Sequence, residues 1–160
     1  SDLPQFVQHF SVAIVKLLET YGVQAKIKYP NDIIVGKKKI AGILMETSIE
    51  NQLKYIIIGV GLNVNQTSFK DLKDKAISMS NVTNKEYDVN DILNRLITEI
   101  DKEFNFDEYK KYSIVIGKKT QYNHQSYFIS DVLADGRLKL VGDDEIYVSP
   151  NEISLEEFYQ

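Results

Sequence analysis

Residues 28–42, with the sequence KYPNDIIVGKKKIAG, place an amide, a carboxylate and three successive lysines around two predicted turns. Asn31 and Asp32 follow a proline, and this combination is common in turns that have no further role. Lys37 and Lys38 also fit a solvated turn. Lys39 differs because it begins the next predicted strand, where an ammonium group could reach a carboxylate or a phosphate lying on the sheet. The segment therefore indicates a site for an anion.

Three glycines interrupt the apolar segments that follow: Gly42 in KIAGIL, and Gly59 and Gly61 in IGVGLNVN. Glycine weakens a strand unless a ligand or another backbone approaches closely. One such glycine would indicate a bulge or a tight packing contact, whereas three on neighbouring strands favour a flat ligand lying against the sheet. The GVG segment does not predict a dinucleotide fingerprint, because Val64 replaces the third glycine and no helix follows.

Hydrophobic periodicity predicts the elements that position these residues. Apolar residues at spacings of three and four predict a helix that begins at Pro4 and is capped by Gly22. Four strands are predicted at residues 25–29, 33–35, 39–47 and 53–64, and their short connections make neighbours antiparallel. The three successive isoleucines at 56–58 predict a strand that is buried on both faces.

The second half of the chain has a different pattern. Residues 65–87 are predicted to form a loop with a short helical turn, Asp88 to cap a second helix, and residues 106–112 to add a short helical piece. The short alternating strands at 114–122, 126–134, 137–141 and 145–148 fit a small β-barrel. We expect an α+β fold: a mixed, mostly antiparallel sheet with packed helices over residues 1–112, then a small barrel domain over residues 113–160.

The composition excludes several classes of site. The 160 residues include no cysteine and two histidines, which excludes thiolate metal sites and leaves little material for a Ser-His-Asp triad. A chain without cysteine fits a reducing compartment, so we expect a cytoplasmic protein. No apolar run is long enough to cross a bilayer, so no membrane partner is expected. The net charge of −4 argues against a nucleic-acid partner for this part.

Three motifs, KYPND, KIAGIL and GVGLN, resemble the central region of biotin protein ligases. The family pattern runs Lys-Trp-Pro-Asn-Asp, Lys-hydrophobic-Ala-Gly-Ile-Leu and Gly-hydrophobic-Gly-hydrophobic-Asn. AISM at residues 76–79 resembles the family's Ala-Thr-Ser-Leu element, and NEISL at 151–155 resembles its C-terminal domain. The resemblance covers nearly the whole chain. It implies a fold akin to class II aminoacyl-tRNA synthetases followed by a barrel of the Src-homology-3 type.

The resemblance implies activation of biotin with MgATP to biotinyl-5′-AMP, and transfer of biotin to a lysine of a biotin carboxyl carrier domain. Lys39 resembles the catalytic lysine that contacts the biotin carboxylate and the α-phosphate, and Asp32 is the implied Mg²⁺ ligand. The implied biotin-binding residues are Lys39, Gly42 and Leu44. The implied nucleotide-binding residues are Asn31, Asp32, Gly59, Gly61 and Asn63.

The sequence departs from the family at several places. Tyr29 replaces the usual tryptophan, and Glu156 stands where some members have an arginine near the adenine. The family's Gly-Arg-rich loop, which closes over biotin and the adenylate, is missing, because Arg95 and Arg137 are the two arginines of the chain. We therefore expect a ligase portion that lacks the N-terminal part of the catalytic domain and is inactive, or nearly so, alone.

Two other interpretations stay open at this point. One is a binding or interaction module that keeps the nucleotide-facing sheet without catalysis, and the other is a relative of lipoate ligases. Lys-Tyr-Pro-Asn-Asp and the terminal barrel favour biotin over lipoate. If early strands are missing from the sheet, we expect self-association through it. The apolar residues expected to be exposed for this reason are Phe10, Ile14, Ile33, Ile34, Ile43 and Ile57.

Overall fold

A computed structural model describes residues 3–155, and the position of Glu156 therefore lies outside the described residues. The order of helices and strands predicted from the sequence is confirmed. The helices are α1 (Leu3–Thr20), α2 (Met79–Thr83), α3 (Val89–Ile100) and α4 (Phe106–Tyr112). The strands are β1 (Lys26–Lys28), β2 (Asp32–Val35), β3 (Lys38–Ile49), β4 (Leu53–Leu62), β5 (Lys119–Tyr122), β6 (Gln125–Val132), β7 (Leu138–Val141) and β8 (Glu145–Val148).

The caps that the sequence indicated, at the end of α1 and at the start of α3, are confirmed. Gly22 has φ of +76°, and the amides of Gly22 and Val23 donate to carbonyls of the last turn of α1, a glycine-capped helix end. At the start of α3 the Asp88 carboxylate accepts from the amides of Asn90 and Asp91. The 65–87 segment holds one 3₁₀ turn, Lys70–Leu72, and the short helix α2.

The first sheet has the order β1-β2-β3-β4, with every neighbouring pair antiparallel as expected. Helix α1 lies on β1, β2 and β3 and buries one face of the sheet. The prediction that residues 56–58 are buried on both faces was wrong. Ile57 is 54% exposed because it lies on the face of the sheet that α1 does not cover, the face that also carries Gly59 and Gly61. Its two neighbours are only partly buried, because this part of β4 extends with β3 beyond the other two strands.

The expected exposure of the sheet was also mostly wrong. Ile14, Ile33 and Ile43 are buried in the core that α1 forms with the sheet, and Phe10 packs against it. Ile34 is buried as well, outside that core cluster. Of the six residues, Ile57 is exposed as expected, and the other exposed apolar side chains of the ribbon of β3 and β4 are Leu44, Ile49, Leu53 and Tyr55.

The second sheet is an antiparallel meander with the order β5-β6-β7-β8. It is consistent with a domain of the Src-homology-3 type, but β5 and β8 do not pair within residues 3–155, so no closed barrel is formed there. Its first strand is shorter than predicted, because a turn at Gly117 precedes it. In the connection between the two sheets, the Ile114 amide donates to the carbonyl of Ile27 in β1. The division into domains near residue 112 stays a prediction.

Candidate functional site

A groove of about 580 Å³ lies on the exposed face of the first sheet. It brings together seven of the eight residues that the sequence assigned to a site, and Asn63 is the exception. The residues that line it are Asn31, Asp32, Lys39, Gly42, Ile43, Leu44, Gly59, Val60 and Gly61. Segments separated by some 30 positions in the sequence therefore form one surface.

The charged end of this groove is an ion pair. The Lys39 ammonium lies 2.8 Å from Oδ1 of Asp32, and the two side chains are 46% and 21% exposed. An ion pair that is this accessible contributes little to folding stability, because water screens it and long side chains lose freedom in forming it. Its position over the sheet therefore points to a role in binding an anion.

A β-bulge aims Lys39 into the groove. On β2, Ile33 pairs with Ala41 but Ile34 pairs with Lys39, so that Ile40 is an extra residue on β3. Ile40 and Ala41 are consecutive and both are buried, which breaks the usual alternation of a strand. As a result Lys39 lies on the same face as Gly42, and a bulge is a common means of redirecting a side chain beside a site. Sequence reasoning missed this bulge, although the consecutive apolar pair after a lysine was a weak signal.

The three glycines have different surroundings. A Cβ atom on Gly42 would lie 2.8 Å from Cε and 2.9 Å from Nζ of Lys39, so this glycine makes room for the lysine. A Cβ on Gly59 would meet its nearest neighbour at 3.9 Å, and one on Gly61 would meet nothing within 4 Å. Packing within residues 3–155 therefore gives no reason for glycine at Gly59 and Gly61. Their bare backbone fits the expectation of a flat ligand on the sheet.

Two asparagines use their amide groups to hold backbone segments. Nδ2 of Asn31 donates to the carbonyl of Ile43 at 2.9 Å, and the amide of Ile43 donates back to the carbonyl of Asn31 at 3.0 Å. Asn63 lies outside the groove, where its Nδ2 donates to the carbonyl of Ile77 at 3.0 Å. Neither amide was expected to have this role. Asn31 fixes the turn that carries Asp32, and Asn63 holds the segment at Ala76 and Ile77 that runs beside the start of β3.

Tyr29, singled out in the sequence only as a replacement for tryptophan, has a specific partner. Its side chain is buried, and its hydroxyl donates to the carbonyl of Gly136 at 2.7 Å. Burial raises the pKa of Tyr29 well above its usual value, so the phenol stays protonated and remains a donor at neutral pH. The residue before the Pro30-Asn31-Asp32 turn is thus hydrogen-bonded to the second sheet.

A larger depression, of about 640 Å³, lies on the second sheet beside Tyr127 and Asp144. Its polar groups bond to one another: the Tyr127 hydroxyl pairs with Oε1 of Gln125 and Oδ1 of Asp144. We assign the site to the groove on the first sheet, where the charged pair and the glycines meet. Residues 3–155 contain no group of three or more acidic or histidine side chains that could hold a metal ion, and the metal-binding role of Asp32 stays a prediction.

Comparisons with known proteins find similarity to biotin ligases. Residues 1–63 match the model of the biotin/lipoate A/B protein ligase family. The chain is 37% identical over 106 residues to the bifunctional ligase/repressor BirA of Bacillus subtilis, covering 63% of this chain and 33% of that protein. It is 29% identical over 89 residues to the biotin–[acetyl-CoA-carboxylase] ligase of Mycobacterium tuberculosis, covering 56% and 32%. The chain thus spans about a third of the length of these relatives.

Solved structures show the same fold. The apo biotin protein ligase of Aquifex aeolicus superposes with a TM-score of 0.77 at 21% identity, covering 92% of this chain and 73% of that one. The same enzyme in complex with biotin and ATP gives 0.76 at 20% identity, covering 95% and 71%. The fold is that of the biotin protein ligases. The resemblance to this family that the three motifs indicated is confirmed. In the described part of this chain, no helix combines the length and the apolar character that crossing a membrane requires.

Proposed function

We propose that this chain supplies the floor of a site where biotin is activated by MgATP to biotinyl-5′-AMP and then transferred to a lysine of a biotin carboxyl carrier domain. The observation that carries the proposal is the Lys39 ammonium held over Gly42, at the charged end of a groove lined by glycine backbone. The proposal also draws on relatives that are named as biotin ligases.

In the first step, a biotin carboxylate oxygen attacks the α-phosphorus of ATP, and pyrophosphate leaves with the electrons of the broken P–O bond. Two anions must approach each other, and the Lys39 ammonium lowers that repulsion and stabilises charge on the phosphate oxygens. Lys39 is therefore the proposed catalytic residue. In the second step, the carrier's lysine amine attacks the acyl carbon, AMP leaves, and the amine loses a proton. Neither step needs a nucleophile from this chain.

The other residues bind and orient. Gly42 and Leu44 are the proposed contacts for biotin. Gly61 and Gly59, which pair with them across β3 and β4, are proposed contacts for the nucleotide. Asp32 is the proposed ligand for Mg²⁺, which binds proteins through one or two carboxylates together with substrate phosphates. In this proposal Asn31 holds the turn and Asn63 holds the segment beside the start of β3, and neither amide nitrogen contacts a ligand.

The described residues provide a floor without a cover. Leu44 is 62% exposed, and Gly59 and Gly61 are exposed as well. Electrostatic stabilisation is strongest where water is excluded, so we expect the 160-residue chain alone to form adenylate slowly or not at all. The alternative is a binding module without catalysis. The two hypotheses differ in what they predict for the natural full-length protein: a ligase forms adenylate, whereas a binding module forms none.

The test is biotin-dependent release of pyrophosphate by the natural full-length protein, with lipoate in place of biotin as the comparison. We expect release with biotin, little with lipoate, and a gain of one biotinyl group on a carrier domain by mass spectrometry. Equal pyrophosphate release with lipoate would refute the assignment of biotin as the substrate. No release with either acid would refute the ligase proposal. Release by the 160-residue chain at the full-length rate would refute the expectation that it lacks a cover.

A further inference from the structure

We infer that Tyr29 is a positioning residue: its hydroxyl anchors the turn that carries Asp32 to the connection between β6 and β7, so that the second sheet sets the geometry of the groove. This inference rests on the function proposed above for that groove. The relevant relationship is between Tyr29 and Gly136, which are 107 positions apart in the sequence.

The acceptor side of this bond is firmly held. In the connection of residues 133–137, the Leu133 amide donates to the carbonyl of Arg137 at 2.8 Å, and the Gly136 amide donates to the carbonyl of Leu133 at 3.0 Å. Asp135 accepts from both the backbone amide and Nε of Arg137. Gln8 in α1 adds a bond from outside, from Nε2 to the carbonyl of Leu133 at 3.0 Å. The carbonyl of Gly136 therefore belongs to a rigid turn.

The close fit of this turn depends on glycine. Gly136 has φ of +86°, a conformation that side chains disfavour, and a Cβ there would lie 2.9 Å from Cβ of Pro4. The turn is thus packed directly on the start of α1. Any displacement of it would move the carbonyl that Tyr29 uses.

The donor of this hydrogen bond, Tyr29, is close in sequence to the residues of the groove. Tyr29 is 5% exposed, so without its hydroxyl the Gly136 carbonyl would lose its partner in a place closed to water. Two residues on, Asn31 makes its reciprocal bonds with Ile43, and Asp32 follows with its ion pair to Lys39. Tyr29 is therefore the point where the second sheet can hold this turn in register with β3.

Two variants test the inference from the two ends of the bond. Tyr29→Phe removes the donor, and Gly136→Ala displaces the acceptor. Tyr127→Phe is the matched control, because it removes the hydroxyl of another buried tyrosine, whose partners Gln125 and Asp144 belong to β6 and to the turn between β7 and β8. Hydrogen exchange of the Ile43 amide, which donates to Asn31, reports the turn, and exchange of the Val15 amide in α1 reports global unfolding.

In the 160-residue chain we expect Ile43 exchange to rise about tenfold relative to Val15 in both variants, since one buried hydrogen bond is worth about a factor of ten in an equilibrium. Tyr127→Phe should leave that ratio unchanged. In the natural full-length protein, Tyr29→Phe should slow adenylate formation at saturating biotin and ATP by about the same factor. A purely structural role would not change that rate while the protein stays folded.

Ile43 exchange that tracks Val15 in both variants would overturn the inference, as would equal effects of Tyr29→Phe and Tyr127→Phe on the rate. If the wild-type protein forms no adenylate, the proposed function fails, but the exchange ratio still decides whether Tyr29 holds the turn.

Discussion

The Lys39 ammonium contacts the Asp32 carboxylate at 2.8 Å by passing over the bare Cα of Gly42, the residue that faces Asp32 across the β2–β3 pair. The three residues form one unit: the carboxylate holds the ammonium, and the glycine leaves room for it. This arrangement leads to four predictions about the groove and the strands that form it.

Lys39→Ala should slow biotinyl-adenylate formation by about 10²–10³, the cost of removing one well-placed donor to a developing oxyanion. Lys37→Ala is the matched control and should change the rate little, because Lys37 is exposed in the turn before β3. Pyrophosphate release by the natural full-length protein measures both. Equal losses at the two positions would mean that the lysines act only as diffuse positive charge.

Gly42→Ala should act through Lys39. The new methyl group would meet the flexible end of that side chain, which can move, so we expect the free energy of unfolding to change by less than about 1 kcal/mol. The displaced ammonium should lower the rate of adenylate formation about as much as its removal does. In a Lys39→Ala background, Gly42→Ala should add little, because the two changes share one interaction. Additive losses would show an independent role for Gly42.

Gly61→Ala separates a ligand-binding role from a structural one. No atom lies within 4 Å of the new methyl group, so the free energy of unfolding should stay the same or rise by about 0.4–1 kcal/mol. The methyl group would stand on the floor of the groove and should weaken binding of a non-hydrolysable biotinyl-adenylate analogue. Chemical denaturation and calorimetric titration measure the two effects. Unchanged affinity in the more stable variant would contradict the ligand interpretation.

Self-association is expected through the ribbon of β3 and β4. Its exposed apolar residues include Tyr55 and Ile57, and β4 is an edge strand within the described residues. Sedimentation of the 160-residue chain over a concentration series should show a dimer or larger species. Ile57→Lys should shift the chain towards monomer. Leu72→Lys is the control and should not, because Leu72 is an exposed apolar residue outside the ribbon. A monomer at all concentrations would refute this expectation.

The sequence alone determined the features that depend on neighbouring residues. The glycine cap at Gly22 and the Asp88 cap are local hydrogen-bonding choices, and the short connections between strands leave little alternative to antiparallel pairing. Because β2, β3 and β4 follow one another with such connections, Asp32, Lys39 and Gly59 had to come together on one sheet. The location of the groove was therefore predictable, and the family resemblance named its residues.

The tertiary structure decided what depends on contacts between distant segments. The strand pattern could not show that Ile40 is an extra residue that turns Lys39 towards Gly42, because a bulge is defined only against the partner strand. Likewise, the exposure of Ile57 depends on which face of the sheet α1 covers, and α1 covers the opposite face. The bond from Tyr29 to Gly136 joins residues from two different sheets, and no local propensity encodes such a pair. Short-range chemistry set the elements, and long-range packing set where their side chains point.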